Sequence, residues 1–466
     1  MSAFANSKLY NACDKLAMFL LCVFMADCAV LGSGRFLSVG PLGLRMVLLG
    51  VMMVISLPLI LAQLHRLIRL PLLWLLAGFL VWLAVSAVIG FVNGNSRAML
   101  LSDLKGFAYF ISVLPALCVL RSKERIHKLM KTAMYACCAL SFLTAVLVPL
   151  YRWAPQMFNN MVSLDPEHHI TMFAAVSSKI PRLFYKSTPY LLCGCAFPIY
   201  FSVVEHGEKR RWQYPVIIGF ALFSLLLSYT RSIYLAVFLA AAALIIALYL
   251  TAKKVHRVQL GKLLGASVLS CVVLICAYSV VLQANYFGYA LDRLGVTFQN
   301  PDAGSPGGDS SGDTNPTNPT GSTEHFQELT TMSDQLRADT KAELFENIKS
   351  APLFGCGLGK TLAVRNHNAH EYIYLDIIMK TGIFGLLLFF APAVFIVIAT
   401  VKAIKSHPDA VKIRAPWLAV LLGFISFSYF NPYMNAALGI FFYCCCIAVF
   451  YAETDIKNQI TSEETL

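Results

Sequence analysis

The chain has 466 residues, of which 58% are hydrophobic and 13% charged, and its mean hydropathy is +0.66. Soluble domains carry about one quarter charged residues, so this composition excludes a water-soluble globular protein. The net charge of +12 does not indicate a nucleic-acid partner, because the Lys and Arg residues are clustered between hydrophobic runs. The sequence therefore predicts one domain embedded in membrane lipids.

Twelve apolar runs follow one another along the chain, and a spanning helix needs about 20 apolar residues. They lie at about 16–33, 42–63, 71–92, 104–120, 132–150, 188–205, 214–229, 232–252, 263–283, 370–400, 416–433 and 436–452. We predict an all-α polytopic membrane protein with about twelve transmembrane helices. Nine fill residues 1–283, three fill residues 370–452, and a tail covers residues 453–466.

Basic residues predict the orientation of these spans. Every Lys and Arg cluster follows an even-numbered run, at about 66–69, 121–131, 209–211, 253–257 and 402–414. By the positive-inside rule, both termini are then cytoplasmic and the loops after odd-numbered runs face outward. The long loop at 284–369 is therefore expected to be periplasmic.

The long loop has two parts of different composition. Residues 301–323 are rich in Gly, Pro, Ser, Thr and Asp, so they cannot bury a core and are predicted to be disordered. Residues 333–350 predict an amphipathic helix that lies against the membrane domain. Its apolar residues at helical spacing are Leu336, Ala342, Leu344, Phe345 and Ile348.

Arginines on the predicted outward side are candidate anion ligands. Arg231 follows a turn so short that its guanidinium must lie near the hydrocarbon boundary, where an unpaired cation is costly. It either snorkels to lipid headgroups as an anchor or binds an anion. A lipid pyrophosphate is a suitable anion, because a guanidinium pairs bidentately with phosphate oxygens. The same two interpretations apply to Arg182, which has Lys179 and Lys186 nearby.

Two histidines, His367 and His370, precede the tenth run. A neutral imidazole at the mouth of a span can take a proton from a sugar hydroxyl, whereas the alternative is a solvated side chain. Within the run, Asp376 and Lys380 lie four residues apart and are expected to pair on one helix face. The outward side offers no acidic cluster of the kind that holds a metal ion.

Four segments resemble the O-antigen ligase and polymerase family of bacterial envelope biogenesis, over the region from about Arg182 to Gly385. They are PRLFYKSTPYLL, SYTRSIYLAVF, LRADTKAELFENIKSAPLFGCGLG and HNAHEYIYLDIIMKTGIFGLLLFF. In the last, a histidine opens a span and a GxxG follows about three turns later. Each segment is weakly specific, but together they are fairly specific, and they imply a GT-C-like membrane fold.

The resemblance implies glycosyl transfer at the periplasmic face of the inner membrane, from an undecaprenyl-pyrophosphate-linked glycan and without a cofactor. Ligases of the family pass the glycan to the lipid A core, and polymerases pass it to another lipid-linked repeat unit. Both activities stay open, with ligase preferred. In this mechanism Arg182, Arg231 and Arg337 bind the pyrophosphate, and a histidine acts as base.

The sequence departs from the family pattern at the histidine. Family members usually place Asn, Ser or Gln after it, whereas His370 precedes Glu371 and lies one residue farther than usual from Gly382. His367 has an Asn neighbour but lies farther still. Both are therefore candidate catalytic residues, and the EYIYL run favours His370.

An alternative of another class is a lipid or polysaccharide transporter or flippase. Such proteins place charges and broken helices near the bilayer midplane and often have two similar halves. The distinctive residues of this chain are concentrated at one face, and its single long loop is asymmetric. This distribution favours the transferase.

Overall fold

A computed structural model describes residues 8–32, 38–39, 42–158, 171–175, 180–204, 212–251, 254–286, 288, 323–364 and 370–464. Within these residues the chain forms a helical bundle. Its helices are α1 (Lys8–Val30), α2 (Leu44–Leu67), α3 (Pro71–Val92), α4 (Arg97–Phe107), α5 (Val113–Val119), α6 (Lys123–Trp153), α7 (Leu191–Val204), α8 (Gln213–Leu227), α9 (Arg231–Thr251), α10 (Lys254–Val281), α11 (Thr323–Ser350), α12 (Ile373–Ser406), α13 (Pro408–Ser428) and α14 (Ala437–Glu464).

Two short antiparallel hairpins interrupt the helices. Strand β1 (Ser38–Val39) pairs with β2 (Leu42–Gly43), and β3 (Thr171–Ala175) pairs with β4 (Pro181–Tyr185). Short 3-10 segments join α4 to α5 and precede α7. The second hairpin is the one that concerns function, because it carries Arg182.

Eight helical segments of the described chain are long and apolar enough to cross a membrane. They are Leu44–Ala62, Pro71–Val92, Arg97–Val119, Lys123–Trp153, Arg231–Thr251, Val258–Val281, Ile373–Ser406 and Pro408–Ser428. Shorter apolar helices cover Thr188–Val204, Gln213–Leu227 and Ala437–Ala452. With α1, these helices coincide with the twelve apolar runs. The polytopic all-α prediction is therefore confirmed, while the number of twelve spans stays a prediction.

Peripheral and central helices of the bundle differ in what surrounds them. Peripheral helices such as α3 and α10 expose apolar side chains, including Val81 at 65% and Leu269 at 63%, as a lipid solvent requires. Short α7 is buried along almost its whole length and packs against α6, α8 and α13. Trp417 of α13 lies between the rings of Phe197 and Phe442, at centroid distances of 5.0 and 5.3 Å. This aromatic layer fixes the centre of the bundle.

Helix α12 is broken at Gly382, whose φ of 70° and ψ of 179° are not helical. In hydrocarbon, the backbone groups that such a break releases need partners inside the protein. The carbonyl of Met379 accepts from the amide of Cys356 at 2.7 Å, and that of Lys380 accepts from Gly357 at 3.1 Å. The segment 351–359, which joins α11 to the rest of the chain, therefore completes the broken helix.

Helix α3 supplies further partners for the break. The indole Nε1 of Trp82 donates to the Thr381 carbonyl at 2.8 Å, and the Ser86 hydroxyl donates to the Lys380 carbonyl at 2.7 Å. Glycine is required at this junction, because a Cβ on Gly357 would overlap the backbone of Gly90. The carbonyl groups released at the break are thus paired with side chains of α3 and with the amides of a tightly packed turn.

The amphipathic helix α11 begins at Thr323, about ten residues before the predicted start. The residues from Thr323 to Asp334 contain neither Gly nor Pro, so nothing in them stops a helix. Leu344 is fully buried and packs with Met379 of α12, as the pattern predicted, whereas Phe345 is 43% exposed. Residues 301–322, most of the segment expected to be disordered, lie outside the described residues.

Candidate functional site

Arg182 lies on strand β4 and holds the turn that precedes Arg231. Its Nε donates to the Ser228 carbonyl at 3.0 Å, and its Nη2 lies 3.3 Å from the Thr230 hydroxyl oxygen. These two arginines are 49 positions apart in the sequence, and the turn brings them into one neighbourhood.

Strand β4 is itself anchored to the bundle. The Thr144 hydroxyl of α6 donates to the Tyr185 hydroxyl at 3.1 Å, and Tyr185 is almost fully buried. Burial raises the pKa of Tyr185 above its usual range, so this phenol stays protonated. The anchor fixes the strand three residues from Arg182.

Arg231 is the first residue of α9. Its Nε is buried and has no hydrogen-bond partner among the residues that the structure describes. A buried donor without a partner costs about 1–3 kcal/mol, more when it is charged. A guanidinium in this condition is suited to bind an anion that brings its own oxygen atoms.

The end of α13 bridges Arg231 to the start of α12. Asn431 donates from its side chain to the Ser232 hydroxyl at 3.1 Å, next to Arg231. Two residues earlier, the Tyr429 ring lies 5.7 Å from the Tyr372 ring. The start of α9, the end of α13 and the start of α12 therefore meet at one end of the bundle.

Residues with a strained backbone lie close to Arg231 and close to His370. Among the described non-glycine residues, Tyr229, Gln283 and Tyr372 have positive φ, at 44°, 51° and 62°. Tyr229 lies two residues before Arg231, and Tyr372 caps α12 two residues after His370. Such conformations cost about 1–3 kcal/mol each and cluster at functional sites.

His370 is completely buried, so the alternative of a solvated side chain is wrong for this residue. Its Nε2 lies 3.8 Å from Oδ1 of Asp376, which is also buried. Tyr372, whose backbone lies in the left-handed region, separates His370 from α12, and the imidazole approaches Asp376 in the first turn of that helix. The other candidate base, His367, lies outside the described residues.

A buried charge cluster continues from Asp376. The Lys380 ammonium lies 3.0 Å from Asp376 Oδ2, which confirms the expected pair on one helix face, and 3.0 Å from Asp103 Oδ1 on α4. The second oxygen of Asp103 accepts from the Gly359 amide at 2.8 Å. Charges away from water must be compensated in this way, so the cluster ties α4, α12 and the segment 351–359 together.

Arg337 lies on α11 and contacts the residue that follows His370. Its Nε is 2.8 Å from Glu371 Oε2, and the two side chains are 39% and 20% exposed. The structure thus places Arg182 with Arg231, and Arg337 with the histidine segment.

Sequence reasoning missed Asp103 and Asn431. The only signal for Asp103 was a carboxylate at the start of an apolar run, in LLSDLKGF, and its partner Lys380 is 277 positions away. Across the described ranges, no group of three or more His, Cys, Asp or Glu side chains has the geometry to hold a metal ion.

Comparison with known proteins adds one result. Residues 216–390 match the family model described as O-antigen ligase, which covers less than half of the chain. The matched region contains Arg231, Arg337, His367 and His370, whereas Arg182 precedes it. No curated protein matches the sequence.

Proposed function

We propose that this multi-pass membrane protein belongs to the O-antigen ligase family and that, in the inner membrane, it moves a glycan from undecaprenyl pyrophosphate to the lipid A core. Transfer takes place at the periplasmic face, with both termini in the cytoplasm. The basic clusters after even-numbered runs support this orientation.

The observation that carries the proposal is the Arg231 guanidinium. Its buried Nε has no described partner, and Arg182 fixes the turn directly before it. A pyrophosphate would supply phosphate oxygens to both side chains, and charge-assisted bonds of this kind are stronger than neutral ones. The arginines would also stabilise the negative charge that grows on the leaving group.

His370 acts as the general base in this proposal. The acceptor's hydroxyl oxygen attacks the anomeric carbon, the bond from that carbon to the pyrophosphate oxygen breaks, and its electron pair leaves with the undecaprenyl pyrophosphate. The hydroxyl proton passes to the imidazole of His370. Burial of the ring beside Tyr372 and Asp376 supports this role, because it fixes the ring at the start of α12.

Arg337 contributes to donor binding from the side of α11. Its charge lies next to the histidine segment through Glu371, so it can meet a phosphate that reaches this side of the site. His367 is assigned a supporting role in sugar binding. A glycan polymerase of the same family would use the same residues toward a lipid-linked acceptor.

A transporter is the second candidate, because α12 is broken at Gly382 and the pair Asp376 and Lys380 is buried within it. The break, however, is filled by the segment 351–359 and by α3, so it does not leave backbone open to a substrate. A purified transferase joins donor to acceptor in detergent, whereas a transporter makes no new bond.

The test is transfer by purified protein with an undecaprenyl-pyrophosphate-linked glycan and lipid A core. Arg231→Ala should lose nearly all transfer, while Arg231→Lys should keep part of it, because lysine retains charge but not the bidentate fork. Arg97→Ala is the matched control, since Arg97 is exposed and starts α4. Wild-type transfer by both Arg231→Ala and Arg182→Ala would leave the arginines as lipid anchors only.

A deletion strain separates ligase from polymerase. Loss of a ligase leaves lipid-linked polymer without an acceptor, whereas loss of a polymerase leaves single lipid-linked repeat units. Accumulated polymer is the expected result, and accumulated single units would assign the polymerase activity instead.

A further inference from the structure

We propose that Asp376 is a positioning residue for His370: its carboxylate orients the imidazole and balances the positive charge that the ring acquires with the acceptor's proton. The proposal rests on the function proposed above, in which His370 is the base. It assigns a catalytic consequence to a buried charge cluster that membrane insertion alone would disfavour.

The two oxygens of Asp376 have different surroundings. Oδ2 is 3.0 Å from the Lys380 ammonium, whereas Oδ1 has no hydrogen-bond partner among the described residues and lies 3.8 Å from His370 Nε2. That separation is longer than a hydrogen bond, but catalytic contacts in substrate-free proteins often shorten when the substrate binds. One carboxylate oxygen is therefore held, and the other is directed at the imidazole.

Lys380 and Asp103 hold the carboxylate in place. Lys380 contacts both carboxylates at 3.0 Å, and the Gly359 amide fixes the far oxygen of Asp103 at 2.8 Å. Each member is at least nine-tenths buried. These groups come from two helices and a turn, and Asp376 cannot rotate away from His370 without losing its contact with Lys380.

The summed charge of Asp376, Asp103 and Lys380 also bears on the protonation of His370. In this cluster, as far as the structure describes it, two carboxylates face one ammonium. When both carboxylates are ionised, a neutral imidazole leaves an excess negative charge, and an imidazolium compensates it. The field of the cluster therefore favours the form of His370 that arises when it accepts the hydroxyl proton, as an aspartate does for the histidine of a hydrolase triad.

The competing interpretation is that Asp376 only neutralises Lys380. Three variants separate the two roles: Asp376→Asn, Asp103→Asn, and the triple variant Asp103→Asn, Asp376→Asn, Lys380→Met. The triple variant removes all three charges together, and replacing a complete buried ion group is often tolerated by the fold. The triple variant also tests the two roles if the Asp376→Asn protein does not fold because Lys380 lacks a counter-charge.

We expect Asp376→Asn to lower kcat by about 10²-fold or more while KM for the donor stays near wild type. Asp103→Asn should lose less kcat than Asp376→Asn, because it removes the excess negative charge but keeps the carboxylate that lies 3.8 Å from His370 Nε2. The triple variant should fold and stay as inactive as Asp376→Asn, and Asp376→Glu should recover part of kcat. Thermal unfolding in detergent checks the fold of each protein.

Three outcomes would overturn the inference. Equal losses of kcat in Asp376→Asn and Asp103→Asn, or recovered activity in the triple variant, would show a structural role. Failure of the proposed function gives a different result, because His370→Ala would then transfer glycan at the wild-type rate. An inactive His370→Ala beside a fully active Asp376→Asn leaves the base in place and removes only the role of Asp376.

Discussion

Arg337 Nε lies 2.8 Å from Glu371 Oε2, so the loop helix α11 is ionically joined to the residue that follows His370. Both side chains are partly exposed, and an ion pair of this kind stabilises a fold by about 0–1 kcal/mol. The contact therefore matters for where α11 and the histidine segment lie more than for stability.

Variants at this pair should separate binding from stability. Arg337→Ala should raise KM for the lipid-linked donor, because a positive charge is lost, and should change the unfolding free energy by less than about 1 kcal/mol. Glu371→Gln keeps Arg337 and should raise KM less. Steady-state transfer kinetics and thermal unfolding measure both quantities. If Arg337→Ala leaves KM unchanged, the arginine does not contribute to donor binding.

The two histidines should differ in their effect on transfer. His370→Ala should abolish transfer while donor binding persists, because the buried imidazole next to Asp376 is the proposed base. His367→Ala should reduce transfer less. The assay uses purified donor and acceptor, with folding checked for each variant. Full activity in His370→Ala and none in His367→Ala would move the base to His367.

Gly382 should tolerate no side chain. A Cβ at this position would overlap the Leu353 carbonyl oxygen, and the residue has a φ of 70° that disfavours L-amino acids. Gly382→Ala should therefore destabilise the protein by about 3 kcal/mol or more, since strain of about 1–3 kcal/mol adds to a backbone clash. Gly50→Ala is the matched control, because no atom lies within 4 Å of a Cβ there.

Unfolding in detergent and the amount of folded protein in membranes measure this effect. Gly50→Ala should unfold at the wild-type temperature or slightly above it, since alanine favours a helix over glycine. A Gly382→Ala variant as stable as Gly50→Ala would mean that the break in α12 is not required.

The orientation is testable with reporter fusions. Fusions after Gly94, after Ser163 and within 301–320 should report the periplasmic side, whereas fusions near Lys209 and Lys254 should report the cytoplasm. The physical reason is the retention of Lys and Arg clusters on the cytoplasmic side. A cytoplasmic signal from the 301–320 segment would place Arg231 and His370 on the wrong face for periplasmic transfer.

The sequence predicts the features that depend on neighbours along the chain. Apolar runs predicted the helices, and the spacing of Asp376 and Lys380 predicted their ion pair, because four residues make about one helical turn. Leu344 was correctly assigned to the buried face of α11, while the exposed Phe345 was not. Local periodicity thus predicted where the helices lie, but only some of the residues on the buried face of α11.

What the sequence did not predict depends on contacts between distant segments. Asp103 meets Lys380 only because α4 and α12 are adjacent in the bundle. Arg182 reaches the turn at Ser228 from the β3–β4 hairpin, and no periodic pattern in the sequence predicted this hairpin. The break at Gly382 depends on backbone groups of Cys356 and Gly357, and a glycine in an apolar run does not by itself indicate such partners.

The partners of the broken helix also bear on how the protein is made. Trp82, Ser86, Cys356 and Gly357 all precede Met379 in the chain, so each has been synthesised before the carbonyls that need it. Because chains are synthesised and fold from the N-terminal end onward, the first half of α12 can find its partners as it reaches the membrane. The two helices that follow it, α13 and α14, then pack against a helix whose free carbonyl groups already have hydrogen-bond partners.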